Sequence, residues 1–170
     1  MLEVEALGPY RLVRVASDVP AGAPGQFHML RALDSDALLA RPLSAVRSSE
    51  GTLSFLCEPR GPGLAAIART GAELSVLGPL GQGFRLDEAG ERPLLVGGGF
   101  GAALLARPAA TLRGAVLLAG FRSREHAEAA TLVQCAERDV RIEPERITAR
   151  LAELLPGASS VLAAGPSGLV

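Results

Sequence analysis

The sequence predicts an antiparallel, Greek-key-like β-barrel followed by a compact α/β domain on a parallel sheet. Three observations carry that expectation. The first half breaks into short apolar-rich runs separated by Gly/Pro turns. After the stretch 87–93 the runs become continuously apolar and alternate with helical patterns, as in strands buried on both faces. The length of 170 residues with 48% hydrophobic content suits one domain or two very compact ones. The expected division is 1–90 for the barrel and 91–170 for an α/β domain shortened at its C-terminus.

In chain order, strands are expected at 3–17, 26–33, 43–47, 52–58 and 73–77, with turn clusters at 20–25, 34–36 and 48–51. A short helix at 63–69 interrupts them, because Leu64, Ile67 and the intervening alanines fit one helical face. The second half reads as strand 94–97, helix 101–107, strand 114–120, helix 124–135 and strand 140–143. Helix 144–155, with Pro144 at its first turn, and strand 160–164 complete it.

Composition excludes several classes. A net charge of -1 gives no positive field for a nucleic-acid backbone or an anionic membrane surface. Two cysteines, Cys57 and Cys135, provide neither a disulfide framework nor a four-thiolate metal or iron-sulfur site within this chain, so a reducing, cytoplasmic setting is expected. All 17 basic residues are Arg, and Lys and Asn are absent, a bias that is silent about chemistry. The start MLEVEALGPY lacks the basic-then-apolar order of a signal peptide. The longest apolar run, 94–106, carries four glycines and falls short of the roughly 20 residues that cross a bilayer.

Three segments carry possible chemistry. In Arg41-Pro42-Leu43-Ser44, an Arg fixed by the following Pro can bond a phosphate in bidentate fashion, and the Ser hydroxyl points the same way as Pro42. Taken alone, the tetrapeptide is better explained by a Pro-marked edge strand with a solvent-facing Arg. In Leu94-Leu-Val-Gly97-Gly98-Gly99-Phe-Gly101 an apolar strand runs into glycines that open a helix, which lets backbone amides approach a diphosphate. Close strand-helix packing is the competing explanation. The next strand ends Ala119-Gly120-Phe121-Arg122, without the acid that a standard dinucleotide fold places about 20 residues on. The third segment, 76–84, is a glycine-rich exit from the barrel.

Taken in order, Gly25-Gln-Phe27, Arg41-Pro-Leu-Ser44, Leu77-Gly-Pro-Leu-Gly-Gln-Gly-Phe84, Leu95-Val-Gly-Gly-Gly-Phe-Gly101, Gly120-Phe-Arg122 and Ala164-Gly-Pro166 resemble the ferredoxin-reductase-like flavoproteins. Within that family the sequence is most similar to the electron-transfer subunits of NAD-linked dihydroorotate dehydrogenases of pyrimidine biosynthesis. The resemblance runs over nearly the whole chain.

It implies FAD as cofactor and NAD(H) or NADP(H) as co-substrate. Arg41 would meet the FAD diphosphate, with Pro42 and Leu43 completing the motif and Ser44 beside the isoalloxazine ring. Cys57, Glu58 and Pro59 would pass along the flavin through their backbone. Gly63 would cap the diphosphate, whereas the family's neighbouring hydroxyl residue is Leu64 here, a loss of about 1 kcal/mol of hydrogen bonding. Gly97, Gly98, Gly99 and Gly101 would face the nicotinamide nucleotide, and Gly120 and Arg122 would form the loop after the next strand. Two further departures are Ala164 in a Cys position and Ala103-Leu104 where the family has alanine-proline. The sequence stops at Val170 without the family's cysteine cluster, so no iron-sulfur cluster is expected within it.

The implied partner is an FMN-containing dihydroorotate dehydrogenase catalytic subunit, and a homodimer is left open. No catalytic side chain and no metal ligand set is expected. His28 and His126 lack metal-motif spacing and read as a strand side chain and a solvated helix residue. Both cysteines read as small buried apolar groups, and Tyr10 as structural or as stacking on the flavin. Two other readings stand beside the electron-transfer subunit: a free-standing NAD(P)H:flavin reductase, and a non-catalytic or regulatory relic of the fold.

Overall fold

The computed structural model describes residues 3–166. Two compact units emerge, Met1–Gly83 and Phe84–Val170. The expected boundary lay seven residues later, after Gly90.

In the first unit, β1 (Glu3–Leu7) and β2 (Tyr10–Ala16) form a hairpin where one long strand was expected. Gly8, at φ 54°, takes the left-handed turn that reverses the chain. β2 pairs with β6 (Thr52–Cys57), and β6 with β5 (Ala45–Ser49), giving the antiparallel order β1-β2-β6-β5. A second antiparallel sheet has the order β4-β3-β7, from β4 (Arg41–Leu43), β3 (Phe27–Ala32) and β7 (Leu74–Leu80). The all-antiparallel expectation for this half therefore holds, as two sheets with no continuous ladder closing them among the described residues.

The strand expected at 43–47 is split by Ser44, where the extended chain leaves one sheet and joins the other. Tyr10, Val13, Leu30, Phe55 and Leu56 are buried at the centre, and a buried Tyr10 is a core residue. His28 is fully buried beside them. Its Nε2 lies 3.0 Å from the Pro20 carbonyl, and its ring meets Phe55 edge-on. The short helix α1 (Pro62–Ile67) packs on β3 through Ile67.

The second unit is a parallel sheet in the order β10-β9-β8-β11, from β8 (Pro93–Gly98), β9 (Val116–Phe121), β10 (Glu137–Ile142) and β11 (Ser160–Ala164). β8 and β9 are buried almost throughout, as their unbroken apolar runs require. Helices cover both faces. Leu94, Val96, Val116 and Leu118 point to α5 (Ile147–Leu154), whereas Gly97, of opposite parity, faces Ala102 at the start of α2 (Gly101–Leu104).

Three helices differ from expectation. Pro108 cannot donate to the Leu104 carbonyl and its ring crowds it, so the helix breaks into α2 and α3 (Ala106–Thr111). The helix expected at 124–135 is a single turn, α4 (Arg124–Ala127), followed by a 3-10 segment, Glu128–Leu132, in which the Thr131 hydroxyl donates to the Glu128 carbonyl. Pro144 precedes α5 in a turn closed by the Glu145 amide and the Ile142 carbonyl, so it is not a first-turn residue.

Asp139 ties β10 to α5. Its carboxylate accepts from Arg141 Nε at 2.6 Å and from Arg150 Nε at 2.8 Å. The Arg141 hydrogen bond, helped by Arg150 and opposed by partial burial, holds the Asp139 carboxyl below its ordinary range. No helix among the described residues is long and apolar enough to cross a membrane.

Candidate functional site

Two local constellations bring the expected residues together, one in each unit. In the first unit, β4 and α1 carry them. The buried Gly63 sits directly under the Arg41 guanidinium: a Cβ at position 63 would come within 2.7 Å of Arg41 Nε and 3.1 Å of its Nη2. Among the described residues this guanidinium has no acidic or hydrogen-bonding partner. α1 begins with Pro62, which has no N–H. The helix offers no acceptor to the Gly63 and Leu64 amides, while the Ala65 amide already bonds the Gly61 carbonyl at 3.1 Å.

A cation near the start of a helix whose Gly63 and Leu64 amides have no acceptor among the described residues, over a position where a Cβ would displace the guanidinium, fits a diphosphate. Leu64 is half-buried and supplies its amide there but no hydroxyl. Ser44 is half-buried at the crossing between the two sheets, and among the described residues its hydroxyl has no partner. Pro42 is exposed and Leu43 is buried.

At the end of β6, Cys57 is buried and pairs in register with Arg11. Burial pushes its thiol up to about 11, against the opposing pull of Arg11, so it carries no thiolate at neutral pH. Glu58 pairs with Arg60 at 2.6 Å, which fixes the bend at Pro59.

Gly25-Gln26-Phe27 has a structural role. The Gln26 side chain accepts from the Ala23 amide and donates to the Gly81 carbonyl, each at 2.8 Å, and so straps the loop before β3 to the end of β7.

In the second unit the chain runs β8, β9, β10 in one direction across the sheet and then returns to place β11 on the other side of β8. The crevice at the carboxyl ends of β8 and β11 is the switch point where open α/β sheets bind ligands. Three expected segments meet at this end. Gly98 pairs with Gly120, and the Gly99 amide donates to the Gly120 carbonyl at 2.8 Å. Gly101 lies against Ala164 and Gly165, the exit of β11.

The glycines have separate reasons. Gly97 admits Ala102, whose Cα and Cβ lie 2.6 and 2.7 Å from where its Cβ would be. Gly101 admits the Ala164 carbonyl, and Gly120 faces Ile147 across 3.0 Å. Gly99 alone of the glycine turn combines a left-handed φ of 52° with open space above it, so its backbone is the part open to a ligand.

Arg122 is exposed, and its Nε donates to His126 Nε2 at 2.7 Å. Ser123 caps α4, accepting from the His126 amide, and its Oγ lies 2.7 Å from His126 Nδ1. The sequence reading treated His126 as solvated. The Ser-x-x-His spacing, with the third residue placed to fold back on the cap, is the signal that could have found it.

No protein-family profile matches the chain. It is 43% identical over 114 residues to the dihydroorotate dehydrogenase B (NAD(+)) electron transfer subunit of Geobacillus sp. strain WCH70, covering 61% of this chain and 44% of that protein. It is 46% identical over 85 residues to the corresponding subunit of Shouchella clausii, covering 46% of this chain and 33% of that protein. The chain thus spans less than half the length of these relatives. Among solved structures, the NADH-dependent reduced ferredoxin-NADP oxidoreductase superposes with a TM-score of 0.79 at 19% identity, over 99% of this chain and 67% of the other. A ferredoxin reductase of carbazole 1,9a-dioxygenase gives 0.73 at 23% identity, over 99% and 60%. The fold is ferredoxin-reductase-like.

Proposed function

We propose that this chain is the FAD- and nicotinamide-nucleotide-binding part of an electron-transfer subunit serving an NAD-linked dihydroorotate dehydrogenase. The observation that carries the reading is the Arg41 guanidinium, without a partner among the described residues, held over Gly63. Similarity to the named subunits of Geobacillus and Shouchella supports a dihydroorotate dehydrogenase catalytic subunit as the partner, and the proposal takes that subunit to contain FMN. Two free cysteines are compatible with a cytoplasmic location.

FAD, when bound, supplies hydride acceptance and one-electron release, so the protein's task is placement and electrostatics, without a side-chain acid or base. Arg41 and the Gly63 and Leu64 amides neutralise and hold the diphosphate. Ser44 offers a hydroxyl to the edge of the ring system, and the backbone of Cys57, Glu58 and Pro59 flanks it. In the second unit, Gly97, Gly98, Gly99 and Gly101 admit the nucleotide at the switch point, and Gly120 and Arg122 form the neighbouring loop.

Arg41→Ala tests the reading. Loss of a charge-assisted phosphate contact of about 1.5–3 kcal/mol weakens FAD binding roughly 10- to 150-fold. The variant should purify colourless, with unchanged circular dichroism. An Arg41→Ala protein that retains full, yellow FAD occupancy overturns the assignment.

A further inference from the structure

The two edges of the parallel sheet differ in charge. β10 carries Glu137, Arg138, Asp139 and Arg141, and a strand seated against it would have to desolvate them. β11 reads Ser160-Val-Leu-Ala-Ala164 and carries no charge. Among the described residues it pairs only with β8, so backbone N–H and C=O groups along its other side point out of the sheet.

The two faces of β11 differ as well. Leu162, in register with Leu95, is buried on the α2 side of the sheet. Val161 and Ala163 are in register with Leu94 and Val96, which lie under α5, yet both are exposed, Val161 to 47%. α5 packs over β8 and β9 and leaves these two side chains bare, although strands of parallel sheets are normally covered on both faces. An uncharged edge with bare apolar side chains beside it is a template for strand addition.

We propose that β11 is a self-association edge that pairs antiparallel with β11 of a second copy of this chain, about a two-fold axis at Leu162. Val161 of each copy then lies opposite Ala163 of the other, and the two four-stranded sheets join edge to edge. Charge selects this occupant. Seating β11 on β10 of another copy would set Val161 against the β10 charges and leave a free β11 to propagate an open chain, whereas the two-fold arrangement covers both uncharged edges and closes. A five-residue ladder with its side chains falls below about 1,200 Å², the class of weak and reversible contacts, so the dimer should depend on concentration. The inference is independent of the flavin and nucleotide sites.

Sedimentation equilibrium of the full chain from about 1 to 200 µM should show a monomer–dimer equilibrium. Val161→Lys and Ala163→Glu each add a charge where the side chain already faces solvent, so both should keep the circular dichroism of the wild type and weaken dimerisation about tenfold. Val140→Lys, on the exposed part of β10, should leave dimerisation unchanged. Mixing Val161→Lys with Ala163→Glu sets opposite charges directly across the ladder and should strengthen association about two- to fivefold over either variant alone. A chain that stays monomeric throughout overturns the proposal. So does a dimer that Val161→Lys and Ala163→Glu leave intact, or one that Val140→Lys weakens to the same degree, because the contact then lies elsewhere. A mixture no stronger than its components overturns the antiparallel pairing.

Discussion

A single methyl group separates what the proposed flavin cradle requires from what the fold requires. Gly63 occupies the first turn of α1 with no left-handed φ, where alanine is the better helix former by up to about 1 kcal/mol. Its missing Cβ nonetheless leaves the space in which the Arg41 guanidinium lies, 2.7 Å from where that atom would be. Gly63→Ala should therefore leave the apo-protein's melting temperature unchanged or slightly raised, because only the far end of a flexible side chain must yield. FAD affinity should fall about three- to tenfold as Arg41 is displaced, by analogy with a weakened charge-assisted bond. Fluorescence titration of the apo-protein with FAD decides it, and native affinity in Gly63→Ala would mean that Arg41 does not hold the cofactor. Gly101 is the opposite case, since its Cβ would strike the Ala164 backbone, which cannot yield as cheaply. The sequence made both glycines visible and could not tell them apart, because composition records the absence of a side chain and not its neighbour. His126 was missed for a related reason: flanked by charged residues it looks solvated, and only the fold shows its ring between Arg122 and Ser123.

At the scale of elements, α5 rests on the sheet through Ile147 and is clamped to β10 by Asp139. Because the folded-state pKa of Asp139 lies below its ordinary value, the clamp's contribution is fully present above the unfolded pKa of about 3.9. It is lost as pH falls from there through the lower folded value. Asp139→Asn should accordingly lower the melting temperature at pH 7, and the gap to wild type should close progressively below about pH 4. A gap that stays constant from pH 7 to pH 2.5 would assign the effect to packing instead of charge. Most elements of this unit were legible because buried parallel strands read as unbroken apolar runs. Boundaries set by single atoms were less so. Pro108 splits a helix by crowding a carbonyl one turn back, and Ser44 moves a strand between sheets without disturbing its period-two pattern. Periodicity reports faces, and neither a lost carbonyl partner nor a change of sheet alters a face.

For the molecule as a whole, the two constellations make separate demands that one experiment can join. A diphosphate cradle without a nucleotide crevice would hold a flavin that some other donor reduces, and a crevice without the cradle would bind nucleotide with no redox consequence. Hydride transfer requires the nicotinamide carbon and the flavin nitrogen to approach within roughly 3–3.5 Å. The full chain loaded with FAD should therefore bleach under anaerobic titration with NADH, reaching completion near one equivalent. Arg41→Ala, lacking flavin, should give no signal, and Arg122→Ala should bleach to the same extent at higher nucleotide concentration, since its defect is in binding and not in chemistry. Bound flavin that dithionite reduces and excess NADH or NADPH does not would mean that the switch-point glycines serve packing alone. The hydride donor would then have to reach the flavin from another chain, and the similarity to electron-transfer subunits would extend to the flavin-holding half without the nucleotide chemistry.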